Sequence, residues 1–132
     1  MPYCQLHYHL VWATHNRAPI LTESVRPTLY NEIKKKSRDL RALVHAVGGV
    51  EDHVHMVVSL PPTVAVATFV GQVKGVASFR MNRLHKSEPF AWQAEYGAFS
   101  IRRQEIGKVV RYVLNQEQHH QRGDLDNDFE RW

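Results

Sequence analysis

A chain of 132 residues, 43% of them hydrophobic, is sized for one domain, residues 1–132, built around one core. A formal charge of +4 and a pI of about 9.4 suit contact with phosphates. The single cysteine, Cys4, excludes an intrachain disulfide, and no apolar run approaches the ~20 residues of a membrane span. With no basic segment leading into an apolar stretch at the N-terminus, no secretory signal is visible, and a cytoplasmic protein with no membrane attachment is expected.

Residues 3–13, with Tyr3, Tyr8, Leu10, Val11 and Trp12, predict a first strand, and residues 15–19 a loop. Thr22 is placed to cap a helix over 23–39, with Pro27 tolerated near its start and Val25, Leu29 and Ile33 spaced by four. Lys34, Lys35, Lys36 and Arg38 gather at its end, where cations favour the helix dipole or would meet DNA. Strands follow over 41–50 and 53–60, joined by the tight connection Glu51-Asp52, which implies an antiparallel hairpin. Pro61-Pro62 stops the second of these. Thr63 then caps a helix running to Leu84, with Val66, Phe69, Val70, Val73, Ala77 and Leu84 on the buried side. Residues 85–89 form a loop, 91–100 a fourth strand with Trp92, Tyr96 and Phe99, and 103–120 a third helix. The tail from Gly123 is acidic and turn-rich. This order predicts an α+β fold: a ferredoxin-like, RNA-recognition-like four-stranded antiparallel sheet with two helices on one face, plus a C-terminal helix.

The densest chemical signal is Asp52-His53-Val54-His55-Met56. Side chains alternate along a strand, so His53 and His55 share a face, while Val54 and Met56 share the other. Two imidazoles on one face can hold a metal ion if another element adds a third ligand. They can equally be the wet side of a half-exposed sheet. On the third helix, Ile106, Val109, Val110 and Val113 make one apolar face. Tyr112 lies roughly 110° from its centre, among Lys108, Gln116 and His119. By itself that placement describes a tyrosine at a core boundary with its hydroxyl in water.

Together, His53-Val54-His55 and Tyr112-Val113-Leu114-Asn115-Gln116 resemble the single-tyrosine HUH transposases, the TnpA proteins of small insertion sequences and their REP-associated relatives. The likeness extends to Tyr8-His9-Leu10-Val11-Trp12-Ala13-Thr14, to Gly48-Gly49-Val50-Glu51-Asp52, to residues 92–100 and to residues 116–120, so it spans most of the chain. Two features depart from the family pattern. Glu51 stands where many relatives have proline, and the chain stops at Trp132, shortly after the tyrosine helix, which would alter helix docking or DNA grip.

The resemblance implies the ferredoxin-like fold and a function in DNA transposition. Tyr112 would be the nucleophile that cleaves and rejoins single-stranded DNA through a covalent 5′-phosphotyrosine. His53, His55 and Gln116 would hold Mg2+ or Mn2+, which withdraws charge from the phosphate. A phenol with an ordinary pKa of about 10 needs a base or a positive field. Lys108, His119 and Arg111 are the candidates for activating it or contacting DNA. The implied partners are single-stranded DNA with hairpin-bearing ends and a second copy of the chain, with the HUH strands of two subunits pairing edge to edge. Trp92, Tyr96 and Phe99 are candidate base-stacking residues, though core packing is the preferred reading for them. Three competing readings are weaker. A single-stranded nucleic-acid-binding domain that has lost its chemistry would not need His53, His55, Tyr112 and Gln116 together. Replication-initiating and relaxase-like nickases are generally larger. A structural zinc domain is usually cysteine-rich.

Overall fold

The computed structural model describes residues 4–84 and 89–116. Its elements are β1 (His7–Ala13), α1 (Arg26–Asp39), β2 (Leu43–Gly49), β3 (His53–Ser59), α2 (Val66–Leu84), β4 (Gly97–Ile101) and α3 (Ile106–Leu114). Single helical turns at His15–Arg17 and Arg103–Glu105 precede α1 and α3. The strands form one sheet in the order β2-β3-β1-β4, every neighbouring pair antiparallel. This is the expected four-stranded antiparallel α+β layout.

Strand alternation sorts the sheet's two faces. Leu10 and Trp12 on β1 join Val54, Met56 and Val58 on β3, and the core they form takes in Leu29 and Ile33 from α1 and Phe69, Val70, Val73, Ala77 and Met81 from α2. Each such fully buried side chain contributes roughly 1.5–3 kcal/mol, so this face carries most of the fold's stability. The opposite face is thinner. There, Ala46 and Val57 pack against Val109 and Val113 of α3. An irregularity in the β2–β3 register between Val44 and Ala46 lets Val44 and Val47 both face the main core while Ala46 turns to α3.

Gly48 sets how closely α3 approaches. A Cβ built there would lie 2.3 Å from the Val113 carbonyl oxygen and 3.2 Å from Val113 Cγ1. Only a residue without a side chain lets the helix backbone rest on β2 at this point.

Several boundaries differ from expectation. The fourth strand is predicted from residue 91 but begins at Gly97. Trp92 instead bridges to Thr14, stands edge-on to Trp12 and Phe90, and donates its indole N–H to the Lys74 carbonyl at 3.0 Å. Three-dimensional packing of the indole thus overrides strand propensity. Trp92 and Tyr96 both pack against the main core, as the preferred reading holds, but Phe99 lies on the other face, its ring centroid 5.9 Å from that of His9. Thr22 pairs with the Ser24 hydroxyl, and α1 starts three residues later than predicted, with Pro27 in its first turn. The second helix starts at Val66, and Leu84 is 47% exposed rather than buried, because it lies at the helix's solvent end. Lys74 of α2 donates to the Gln93 carbonyl at 2.6 Å, and burial lowers its pKa. No helix among the described residues is long and apolar enough to cross a membrane.

Candidate active site on the histidine face of the sheet

The strand period does what the sequence implies. His53 and His55 turn away from the main core, toward the α3 side, and both are buried. Their ring centroids are 5.1 Å apart. Each ring is anchored through its Nδ1. His53 Nδ1 lies 2.7 Å from Asp52 Oδ1, and His55 Nδ1 lies 2.8 Å from His9 Nε2. Arg17 Nη1 lies 3.4 Å from His53 Nδ1 and 3.7 Å from Asp52 Oδ2. A guanidinium only donates, so Arg17 serves the carboxylate, and the imidazole N–H donates to the same carboxylate. Arg17 gets there from a backbone in which Asn16 and Arg17 both have φ of 55°, a left-handed pair that is costly for arginine.

Tyr112 is 6% exposed, and its ring stands edge-on to His55, with centroids 5.9 Å apart and planes at 73°. The expectation that Tyr112 sits at a wet core boundary is therefore corrected. The face of the sheet under α3 is itself polar, so the helix buries Val109 and Val113 together with the Tyr112 side. The helix predicted over 103–120 runs regularly only to Leu114, with Asn115 as its cap. Gln116, just beyond, is 1% exposed. It lines an open cleft of about 370 Å3 with Gly48, Gly49, Val113, Tyr30 and Arg26. Gly48, another residue of that cleft, is the cross-strand partner of His55. Lys108 and Arg111 lie on the exposed side of α3, and the Arg111 guanidinium folds back over Gly107. His119 lies outside the described residues.

Sequence reasoning missed three residues. The sequence marks Asp52 as part of the hairpin connection and of the histidine run but gives it no role there. Arg17 was read as loop. His9 was read as a strand residue, although its two-residue spacing from His7 carries the same face signal as the HUH pair. Further along this face, Ser59 Oγ lies 2.6 Å from His7 Nδ1 and 2.7 Å from His45 Nε2, so one hydroxyl bridges the two rings. Burial, and then the nearby His7, hold the His45 pKa below the ordinary histidine value.

Residues 2–116 match the family described as Transposase IS200 like. The chain belongs to that family. It is 31% identical over 77 residues to the ISDra2 transposase TnpA of Deinococcus radiodurans, an alignment covering 58% of this chain and 55% of that protein, so it spans about half the length of this curated relative. Among solved structures, a candidate transposase from Deinococcus radiodurans superposes with a TM-score of 0.71 at 24% identity, over 87% of this chain and 93% of that one. A REP-associated tyrosine transposase bound to a REP hairpin superposes with a TM-score of 0.65 at 17% identity, over 95% and 73%. At these identities the two structures establish the shared fold.

The donor set on this face of the sheet fits a divalent cation. With Nδ1–H of His53 held by a carboxylate, the Nε2 lone pair is left as the ligating atom, the arrangement common to metal-bound histidines. Two imidazoles and an amide oxygen make a mixed nitrogen–oxygen set that takes Mg2+, Mn2+ or Zn2+. No three His, Cys, Asp or Glu side chains converge as a metal cluster among the described residues, and Gln116, the third ligand that the sequence resemblance implies, is a buried amide.

Proposed function

We propose that this chain cleaves and rejoins single-stranded DNA in transposition, with Tyr112 as nucleophile and a divalent cation held by His53, His55 and Gln116. The observation that carries the reading is the buried, edge-on contact of Tyr112 with His55 inside one chain. A tyrosine serving only to fill the core has no need of a histidine pair anchored by Asp52 and His9.

In this reading the Tyr112 phenolate oxygen attacks phosphorus. The new O–P bond forms as the bond to the 3′ oxygen breaks, and the departing oxygen takes a proton to become a free 3′ hydroxyl. The 5′ fragment remains on Tyr112. Attack by another 3′ hydroxyl reverses these bonds and rejoins the strand without ATP, because one phosphodiester is exchanged for another. A bound cation would polarise the non-bridging oxygens. His53 and His55 would fix its place, and α3 would aim the phenol. The basic side chains would track the DNA backbone, and a hairpin near the element's end would be the folded feature recognised.

The test uses end-labelled single-stranded oligonucleotides drawn from the DNA flanking the gene, each holding a hairpin and its flank, with Mn2+ or Mg2+. A denaturing gel is expected to show a covalent adduct that maps to Tyr112. Tyr112→Phe is expected to keep fold and DNA binding and to lose the adduct. A residual adduct in Tyr112→Phe would overturn the assignment. DNA binding without any adduct in the wild type would favour a domain that has lost its chemistry.

A further inference from the structure

We infer that His9 is a positioning residue that fixes the tautomer of His55. The inference rests on the proposed metal role of His55. His9 lies on β1 opposite Val57, while His55 lies opposite Val11, so the two are diagonal cross-strand neighbours on one face. Both are buried. Their rings are nearly parallel, with planes 19° apart and centroids 5.0 Å apart. The 2.8 Å between His9 Nε2 and His55 Nδ1 is shorter than the ~3.5 Å at which stacked faces meet. The rings therefore meet edge to edge, along the line of a nitrogen lone pair.

One proton lies between those two nitrogens, and its side decides what His55 can do. If His9 Nε2 carried it, neutral His55 would hold its own proton on Nε2 and could not ligate there. If His55 Nδ1 carries it and His9 accepts, His55 Nε2 presents a lone pair toward the Tyr112 side. The second arrangement matches what Asp52 does for His53, so the two histidines are prepared as a pair by different partners. Asp52 adds a negative charge on the solvent side. His9 adds none within the sheet, where an unpaired carboxylate would be costly.

The test separates this inference from the metal reading itself. Long-range proton–nitrogen NMR on the metal-free protein at neutral pH reads each histidine tautomer directly. Wild type is expected to show His55 protonated on Nδ1, with His9 accepting. His9→Leu removes the acceptor and is expected to shift His55 toward a mixed tautomer and to weaken Mn2+ binding by about 10–100-fold in calorimetry. His9→Gln offers an amide oxygen at a similar reach and is expected to restore both the tautomer and the affinity. His55 found protonated on Nε2 in the wild type would overturn the inference, even if His9→Leu does not fold. So would wild-type tautomer and affinity in a folded His9→Leu. If His55→Ala leaves Mn2+ affinity unchanged, the metal reading fails, while the tautomer measurement still decides the His9–His55 hydrogen bond.

Discussion

Gly48→Ala tests whether the docking of α3 on β2 sets both stability and the aim of Tyr112. The added methyl would lie 2.3 Å from the Val113 carbonyl oxygen, where ordinary contact begins at 3.4 Å. The obstructing atom belongs to the helix backbone and cannot rotate away, so α3 must lift by about 1 Å. Overpacking of this kind costs about 1–3 kcal/mol, which lowers the melting temperature of a domain this size by ~3–5 °C for each kcal/mol. The same 1 Å displaces Tyr112 and Gln116 from the histidine pair, and an error of that size costs about 100-fold in rate. Urea and thermal unfolding measure the first effect, and cleavage of the labelled oligonucleotides measures the second. Gly71→Ala and Gly75→Ala on the exposed side of α2 are the controls. Nothing lies within 4 Å of a Cβ at either position, so each should gain ~0.5–1 kcal/mol through helix propensity. Gly48→Ala with wild-type melting and cleavage would refute the close-approach argument.

His45 should make stability depend on pH. Its folded pKa lies below the unfolded value of 6.5, so on acidification the unfolded chain takes up the proton first. The contribution of neutral His45 is complete above pH 6.5 and is lost as pH falls through the folded pKa. Unfolding free energies of His45→Gln should fall less steeply than wild type on the acid side, and equal slopes would remove His45 from the account. The arrangement of the nucleophile predicts a complementation result: because Tyr112 stands on His55 of its own chain, a mixture of His55→Ala and Tyr112→Phe should not recover cleavage. Recovery would mean that the tyrosine acts on a partner's histidines. A homodimer is expected all the same, with light scattering giving about twice 15.3 kDa, and a fully active monomer would count against it.

The proposed way of forming that dimer needs correction. β3 lies between β2 and β1, so the HUH strands of two subunits cannot meet edge to edge. The free edges belong to β2 and β4. Strand order depends on long-range pairing, and the local pattern of residues 53–60 looks the same in a central strand as in an edge strand.

Much of the site was readable because its signals are local. A period of two puts His53 and His55 on one face whatever surrounds them. The short connection through Glu51 and Asp52 implies that β2 and β3 run antiparallel, and one cysteine rules out an internal disulfide. The tertiary structure decided which surface each of these meets. A helical wheel assumes that the buried side is the apolar side, which misjudges Tyr112 because the sheet beneath α3 presents histidines there. Trp92 left the strand pattern for an indole site formed by Trp12, Phe90 and the Lys74 carbonyl. His9 and Arg17 reach the HUH pair from positions 46 and 36 residues away in sequence. No local period links residues so far apart. Only the packing of β1 beside β3 brings a hydrogen-bond acceptor to His55, and with it the choice of which nitrogen is left to act.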